Sequence, residues 1–323
     1  MSQQPPSATL YLYHGPELAG YGFGEGHPFG PDRHDVFIAE AERRGLLART
    51  ALKSMPPSLC AESDLLLFHQ RAYVDQVKRQ SESGQGYLDA GDTPAYKGIY
   101  QSACYVVGSV LNAVDQLMNG AVKRAFVPIA GLHHASRQSA AGFCVFNDIG
   151  VACEVLRQRY HINTIAYIDI DAHHGDGVYY GFEDNPHIVI VDSHEDGRFL
   201  YPGTGAASEQ GLGEARGSKL NLPLPPHCDD QQFLPFWQAG DEFLVAHPAD
   251  FYILQCGADS IAGDPITDLR LSPATHAMVT KRVRELADQH AQGRFLALGG
   301  GGYNRDNIAA TWCAVVEQML HSD

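Results

Sequence analysis

Five short apolar runs, each followed closely by a polar cluster, constrain this chain more than any other feature. The runs fall at 124–129, 164–169, 187–191, 250–255 and 294–298, and the clusters after them read GLHHA, DAHHGDG, DSHEDG, GADS and GGGGY. Several runs are apolar throughout rather than alternating, the pattern of parallel strands covered on both faces. Helical periodicity fills the intervals at 65–78, 102–118, 149–159, 231–246, 273–288 and 307–319. Ser272 and Pro273 make a good start for the fifth of these, a cap followed by proline at the first helical position. Strands alternating with helices predict an α/β chain with a parallel sheet. In such sheets ligands bind outside the carboxyl ends of the strands, which is where all five clusters fall.

No Gly/Ser linker, charge block or internal repeat divides the 323 residues. One domain over 1–323 is expected, with the first eight or so residues flexible and long functional loops at 81–100 and 193–220. Apolar residues at 44% and charged residues at 19% are those of a soluble globular protein with a sizeable core. No run approaches the roughly 18 apolar residues of a membrane span. The start, MSQQPPSATLYLY, lacks the basic and apolar regions of a signal peptide. No membrane partner and a cytoplasmic location are therefore expected. A net charge of −15 argues against nucleic acid and suits a cationic substrate or basic peptide. The cysteines, at 60, 104, 144, 153, 228, 256 and 313, form no CxxC pair and are odd in number. That excludes a disulfide scaffold and a thiolate zinc knuckle. Only Cys144 and Cys256 lie beside the polar clusters.

The stretch IDIDAHHGDG at 168–177 carries the chemistry. It places Asp169, Asp171 and His173 two residues apart, so in an extended segment they leave on one face. Three such groups would be costly to bury without a ligand, and they suit a divalent metal. Asp259 adds a further ligand candidate, and His133 and His134 add two imidazoles. A mononuclear metal hydrolase is the reading from the residues.

The motifs GHPFGPDR at 26–33, GLHHA at 131, GFCVFNDI at 142–149, IDIDAHHGDG at 168, PGTG at 202, GADSIAGD at 257–264 and GGGGY at 299–303 stand in one order. In this the chain resembles the histone deacetylase superfamily, which includes acetoin-utilisation proteins and acetylpolyamine amidohydrolases, as a class I/II-like bacterial member. The likeness runs over about residues 10–320. It implies a three-layer arginase/deacetylase α/β fold, with a central, mostly parallel eight-stranded sheet and helices on both faces. It also implies Asp171, His173 and Asp259 as ligands of Zn²⁺, with Fe²⁺ able to use the same donors. A structural K⁺ is implied on Asp169, Asp171, His173, Asp192 and Ser193.

By the same resemblance His134 is the general base and His133 its electrostatic partner. Asp169 supports His133, Asp176 supports His134, and the Tyr303 hydroxyl donates to the oxyanion. Phe143 and Tyr201 wall a narrow tunnel, Gly142 offers its carbonyl, Asp92 fixes substrate at the rim, and Ile266 stands where polyamine deacetylases carry an acidic gatekeeper. Arg33 supports an internal cavity beneath the metal. His174 is supporting, and His14, His27, His34, His69 and His194 are structural or rim residues. The expected reaction is hydrolysis of N-acetyl-lysine in proteins or peptides. An acetylpolyamine or other small N-acyl amine is the alternative substrate. A silent acyl-lysine-binding scaffold is the non-enzymatic alternative, disfavoured because neither the metal triad nor the tyrosine is broken. An arginase-like reaction would need a second metal with more ligands than the chain offers. Two departures from the family stand out: the uncharged middle of SRQSAA at 136–141, and aspartate rather than serine at 192. A homo-oligomer is compatible with the long loops.

Overall fold

The computed structural model describes residues 9–321, so the expectation about the first eight residues lies outside it. Eight strands form the sheet: β1 Leu10–Tyr13, β2 Leu52–Met55, β3 Arg124–Val127, β4 Ile165–Asp169, β5 Ile188–Glu195, β6 Lys219–Leu224, β7 Phe251–Gln255 and β8 Phe295–Leu298. Their order is β2-β1-β3-β8-β7-β4-β5-β6, and every neighbouring pair is parallel. Helices flank the sheet: α1 Pro16–Ala19, α2 Asp32–Arg43, α3 Glu62–Leu65, α4 Arg71–Ser83, α5 Ile99–Met118, α6 Asp148–Gln158, α7 Asp176–Phe182, α8 Asp230–Ala246, α9 Pro273–His290 and α10 Arg305–Leu320.

Strands β3, β4, β7 and β8 are buried at every position. This is why their sequences run apolar without alternation. The apolar core is one continuous cluster reaching from Leu10 to Leu320. Helix α9 starts as its sequence predicts, with the Ser272 side chain accepting the Ala274 N–H and Pro273 at the first position. In β4 and β7 the acidic or amide side chain stands at the last position, Asp169 and Gln255. Asp169 sits in register with Asp192 on β5 and with Gln255 on β7. A row of polar groups therefore crosses the carboxyl edge of the sheet.

Three strands escape the sequence pattern. β1 and β2 are four residues each, and β2, at the sheet edge, alternates from buried Leu52 to exposed Lys53 and Ser54. β6 starts within the last two residues of the span expected as a loop at 193–220 and runs beyond it, and the end of β5 lies inside that span, where His194 pairs with Pro223 and Glu195 with Leu224. Pairing with β6 recruits these polar residues into a strand that apolarity alone would end at Val191. The single helix expected at 65–78 is two pieces, α3 and α4. Long-range bonds hold the chain open between them. The Gln70 N–H donates to the Arg137 carbonyl at 2.7 Å, and His69 Nε2 accepts the Asn147 N–H at 2.9 Å.

Candidate active site

The chain leaves the sheet after Asp169, so the extended run expected through His173 does not form. It turns instead, because side chains capture its backbone. The His173 N–H donates to Asp171 Oδ1 at 3.0 Å and the Ala172 N–H to Asp259 Oδ1 at 2.9 Å. The turn separates the three residues that the alternation places together. Asp169 faces His133, while Asp171 and His173 converge with Asp259 from the loop after β7. Ligand atoms of these last three lie within 4.8 Å of one another, all buried. His173 Nδ1 is 3.1 Å from both Asp171 Oδ1 and Asp259 Oδ2.

Backbone and amide donors hold this trio. Asp171 Oδ2 accepts Gln255 Nε2–H at 2.7 Å and the Gly301 N–H at 2.8 Å. The glycine is required by space: a Cβ at Gly301 would stand 2.1 Å from Asp259 Oδ2. Burial and the nearby Asp171 carboxylate push Asp259 up to about 7. Two carboxylates and one imidazole fit a catalytic zinc or iron(II) site, which keeps a further position open.

Two histidine–carboxylate pairs stand beside the trio. His133 Nδ1 lies 2.7 Å from Asp169 Oδ2, and His134 Nδ1 lies 2.7 Å from Asp176 Oδ1. The two Nε2 atoms are 3.1 Å apart. Their surroundings differ. Burial disfavours charge on His133, but Asp169 and Asp171 outweigh it and raise the ring to about 10. Burial and the neighbouring His133 lower His134 to about 4, against the pull of Asp176. The pair thus holds one proton donor and one free base.

A cavity of about 260 Å³ opens onto this chemistry. His134, His173 and Tyr303 form its inner end, Phe143, Leu200, Tyr201 and Ile266 its walls, and Asp92 and Gly142 also line it. Burial and the carboxylates of Asp259 and Asp171 push the Tyr303 phenol well above its usual value, so it stays a donor. The Phe143 and Tyr303 rings meet edge-on at 5.8 Å. Both Gly142 and Phe143 have positive φ, at 52° and 68°. A Cβ at Gly142 would collide with the His134 ring at 2.4 Å. The Gly142 carbonyl accepts the Cys144 thiol at 3.3 Å and keeps a second lone pair. Asp92 sits on a turn that Asp89 organises, accepting the N–H groups of Gly91, Asp92 and Thr93. Burial and Asp89 push Asp92 up to about 6.

Arg33 braces the glycine loop directly: it is buried and donates to the carbonyls of Gly302 at 2.8 Å and Gly300 at 2.6 Å. Ser193 Oγ donates to the Asp169 carbonyl at 3.3 Å. Asp192 accepts the Gly175 N–H at 2.9 Å and meets His194 Nδ1 at 2.6 Å. His174 meets Thr204 Oγ1 at 2.8 Å, and His27 meets the Asp92 carbonyl at 3.1 Å. Burial raises the thiols of Cys144 and Cys256, so neither is an activated nucleophile.

Four contributors escape sequence reasoning. Gln255 holds Asp171, Tyr167 donates its hydroxyl to Asp169 Oδ2, and Asp148 accepts the N–H groups of Gly131 and Leu132 at 3.1 and 2.9 Å. Tyr21 donates to the Phe143 carbonyl at 2.7 Å and accepts the Val145 N–H at 3.1 Å, locking the wall from behind. Gln255 and Tyr167 carried a signal, a polar group within an otherwise apolar strand. Tyr21 carried none, because it meets its partners 122 and 124 residues away.

A family model described as the histone deacetylase domain matches residues 27–319. The acetoin utilization protein AcuC of Bacillus subtilis (strain 168) is 35% identical over 304 residues, spanning 92% of this chain and 78% of that protein. AcuC of Staphylococcus xylosus is 32% identical over the same shares of each chain. The crystal structure of the HDA15 HD domain superposes with a TM-score of 0.88 at 26% identity, covering 97% of this chain and 88% of that one.

Proposed function

Because this chain belongs to the histone deacetylase family, we propose that it hydrolyses the amide of N-acetyl-lysine, or of a similar short N-acyl-lysine, in proteins or peptides and releases acetate. Membership supports hydrolysis of an acyl amide, and the buried Asp171–His173–Asp259 trio is able to hold a metal ion. The observation that carries the finer reading is the convergence of the trio, His134 and Tyr303 at one narrow cavity. We read residues 1–323 as one catalytic domain working in the cytoplasm. No helix among the described residues is long and apolar enough to cross a membrane.

Asp171, His173 and Asp259 would hold a zinc ion, or iron(II) in the cell. When bound, the ion supplies Lewis acidity toward the acyl carbonyl and acidifies a water molecule. His134, neutral and backed by Asp176, takes the proton as that water attacks. It then returns a proton to the departing amine. His133, held positive by Asp169, stabilises negative charge beside it. The Tyr303 hydroxyl donates to the oxygen that gains charge in the transition state. Phe143 and Tyr201 exclude water from the aliphatic chain, the Gly142 carbonyl accepts the substrate amide N–H, and Asp92 binds the substrate at the rim. Asp169, Asp171, His173, Asp192 and Ser193 would hold a structural potassium ion, a reading supported by Ser193 Oγ lying beside the Asp169 carbonyl.

Ile266 is apolar, half-exposed and on the cavity wall, which favours lysine over a polyamine with a distal ammonium. The test is acetate release by zinc-loaded protein from an acetyl-lysine peptide, set against acetylputrescine and acetylspermidine. A higher kcat/KM on the peptide supports the reading. Turnover of the acetylpolyamines alone, or of nothing in the panel, overturns it.

A further inference from the structure

Away from the cavity, the segment between β2 and α3 lies directly on the backbone of α5. Gly108 on α5 makes this approach possible. A Cβ there would stand 2.2 Å from the Ser58 carbonyl oxygen and 2.3 Å from the Cys60 nitrogen. Two hydrogen bonds stitch the contact. The Ser58 N–H donates to Ser109 Oγ and the Cys60 N–H to the Cys104 carbonyl, both at 3.1 Å. Cys60 and Cys104 are thereby set side by side, and a hydrogen bond joins their thiols.

The two thiols differ in their surroundings. Of the seven cysteines, all within the described residues, Cys60 alone is not buried, so a solute meets it first. Cys104 lies beneath it. The bond from Cys60 holds the Cys104 thiol below its usual value against burial, helped by the Tyr100 hydroxyl and the Lys78 ammonium. Lys78 Nζ stands 5.4 Å from the centre of the Tyr100 ring. The same thiol–thiol bond, with burial, pushes Cys60 up. Once ionised, the pair holds one proton between two sulfurs. A half-exposed sulfur beside a thiolate is the arrangement of an oxidisable cysteine with its resolving partner.

We propose that Cys60 and Cys104 form an oxidation site, at which a peroxide converts the two thiols to a disulfide that ties the β2–α3 segment to α5. Cys60 Sγ passes its proton to Cys104 and attacks the peroxide. An S–O bond forms, the O–O bond breaks, and hydroxide leaves, becoming water with the proton the pair released on ionising. Cys104 Sγ then attacks the sulfenic sulfur of Cys60. An S–S bond forms, the S–O bond breaks, and the second hydroxide leaves with the Cys104 proton as water. The two sulfurs lose two electrons in all and the peroxide gains them. A dithiol reverses the bond by exchange, as it does the transient disulfides of a reducing compartment. This site is independent of the deacylase reading, and its test reads thiols rather than turnover.

The test treats reduced, full-length protein with sub-millimolar hydrogen peroxide, then alkylates it in denaturant and maps its tryptic peptides by mass spectrometry. Each sulfur falls in a peptide with no other cysteine, Ser54–Arg71 and Gly98–Lys123. These two should appear joined, lighter than their sum by two hydrogens, in monomeric protein, and dithiothreitol should separate them. Free thiols should fall from seven to five, one bond consuming two. Cys60→Ser should keep all its remaining thiols under the same treatment. Cys104→Ala should stop at the Cys60 sulfenic acid, trapped by dimedone. The oxidised wild type should melt about 5 °C above the reduced form, because the bond restricts the unfolded chain between 60 and 104. Sulfinic acid on Cys60 without a link overturns the proposal, as does a link to any other cysteine, a link found only in a covalent dimer, or two unchanged thiols. The wild-type peptide map decides the matter even if a variant fails to fold. A linked form that melts no higher than the reduced one overturns the tie between the segment and α5.

Discussion

The floor of the cavity and its mouth are built on different physics. At the floor, Asp169, Asp171 and Asp259 are at most 1% exposed, and each has two or more fixed donors or imidazole partners. At the mouth, Tyr201 is 46% and Ile266 37% exposed, and Asp92 sits on a turn held mainly by its own segment. The two histidine pairs mark the transition. Both span 2.7 Å, yet the Asp169 side chain is sealed while that of Asp176 is 20% exposed, beside a cavity of about 310 Å³ that His134 also lines. Charge buried at the floor is tied to folding and metal binding together. Groups nearer solvent are free to be tuned for substrate without endangering the fold.

The largest break in this contrast comes from the trio. Asp171→Ala should abolish metal binding and activity together, read by elemental analysis and peptide turnover, and added zinc should not rescue it. Retained stoichiometric zinc would remove Asp171 from the ligand set. Tyr303→Phe comes next. It keeps the ring packed on Phe143 and removes one hydroxyl, so kcat should fall about 10²- to 10³-fold with zinc content and melting temperature unchanged. A variant with full kcat would force a search for another donor to the oxyanion.

The two aspartates behind the histidines sharpen the boundary. Asp169→Asn leaves the His133 cation buried without its charge partner and should cost about 3–5 kcal/mol of stability. Asp176→Asn should lower kcat/KM about 10- to 100-fold, the scale of losing a histidine's supporting carboxylate, with stability changed by less than about 1 kcal/mol. Denaturant unfolding and steady-state kinetics on both variants check the pair, and equal stability losses would erase the distinction.

The smallest effect belongs to the mouth. Burial and Asp89 push Asp92 up to about 6, so it is mostly neutral below that pH and a charged acceptor above it. A cationic or amide-bearing substrate is bound better by the charged form, so kcat/KM should rise a few-fold as pH climbs through about 6. The Asp92→Asn profile should lack that step. Identical profiles in the two proteins would assign the rim contact to another group.

Much of the floor was legible because its chemistry is expensive to bury without purpose. Asp169, Asp171, His173 and Asp259 declare themselves as polar residues directly after apolar strands, and the glycines of GGGGY announce a close backbone approach. The grouping was less legible. Alternation puts Asp169 with Asp171 and His173, but side-chain capture of the Ala172 and His173 N–H groups turns the chain and sends Asp169 to His133. The mouth was readable chiefly through resemblance, since GDTP reads equally as a plain turn and an exposed Tyr201 has no local signature.

The sequence by itself determined the α/β alternation, five of the eight strands, and the edge of the sheet where the reactive groups gather. Apolar runs, caps and glycines act over a few residues, and that range is visible in a single chain. Only the tertiary structure decided that β5 continues through Glu195 against β6, that Tyr21 and Gln255 serve the site, and which carboxylate pairs with which histidine. Those outcomes rest on partners from 29 to 124 residues away, such as Glu195 with Leu224 and Tyr21 with Val145. Hydrogen-bond geometry at that separation exists only after the sheet has assembled.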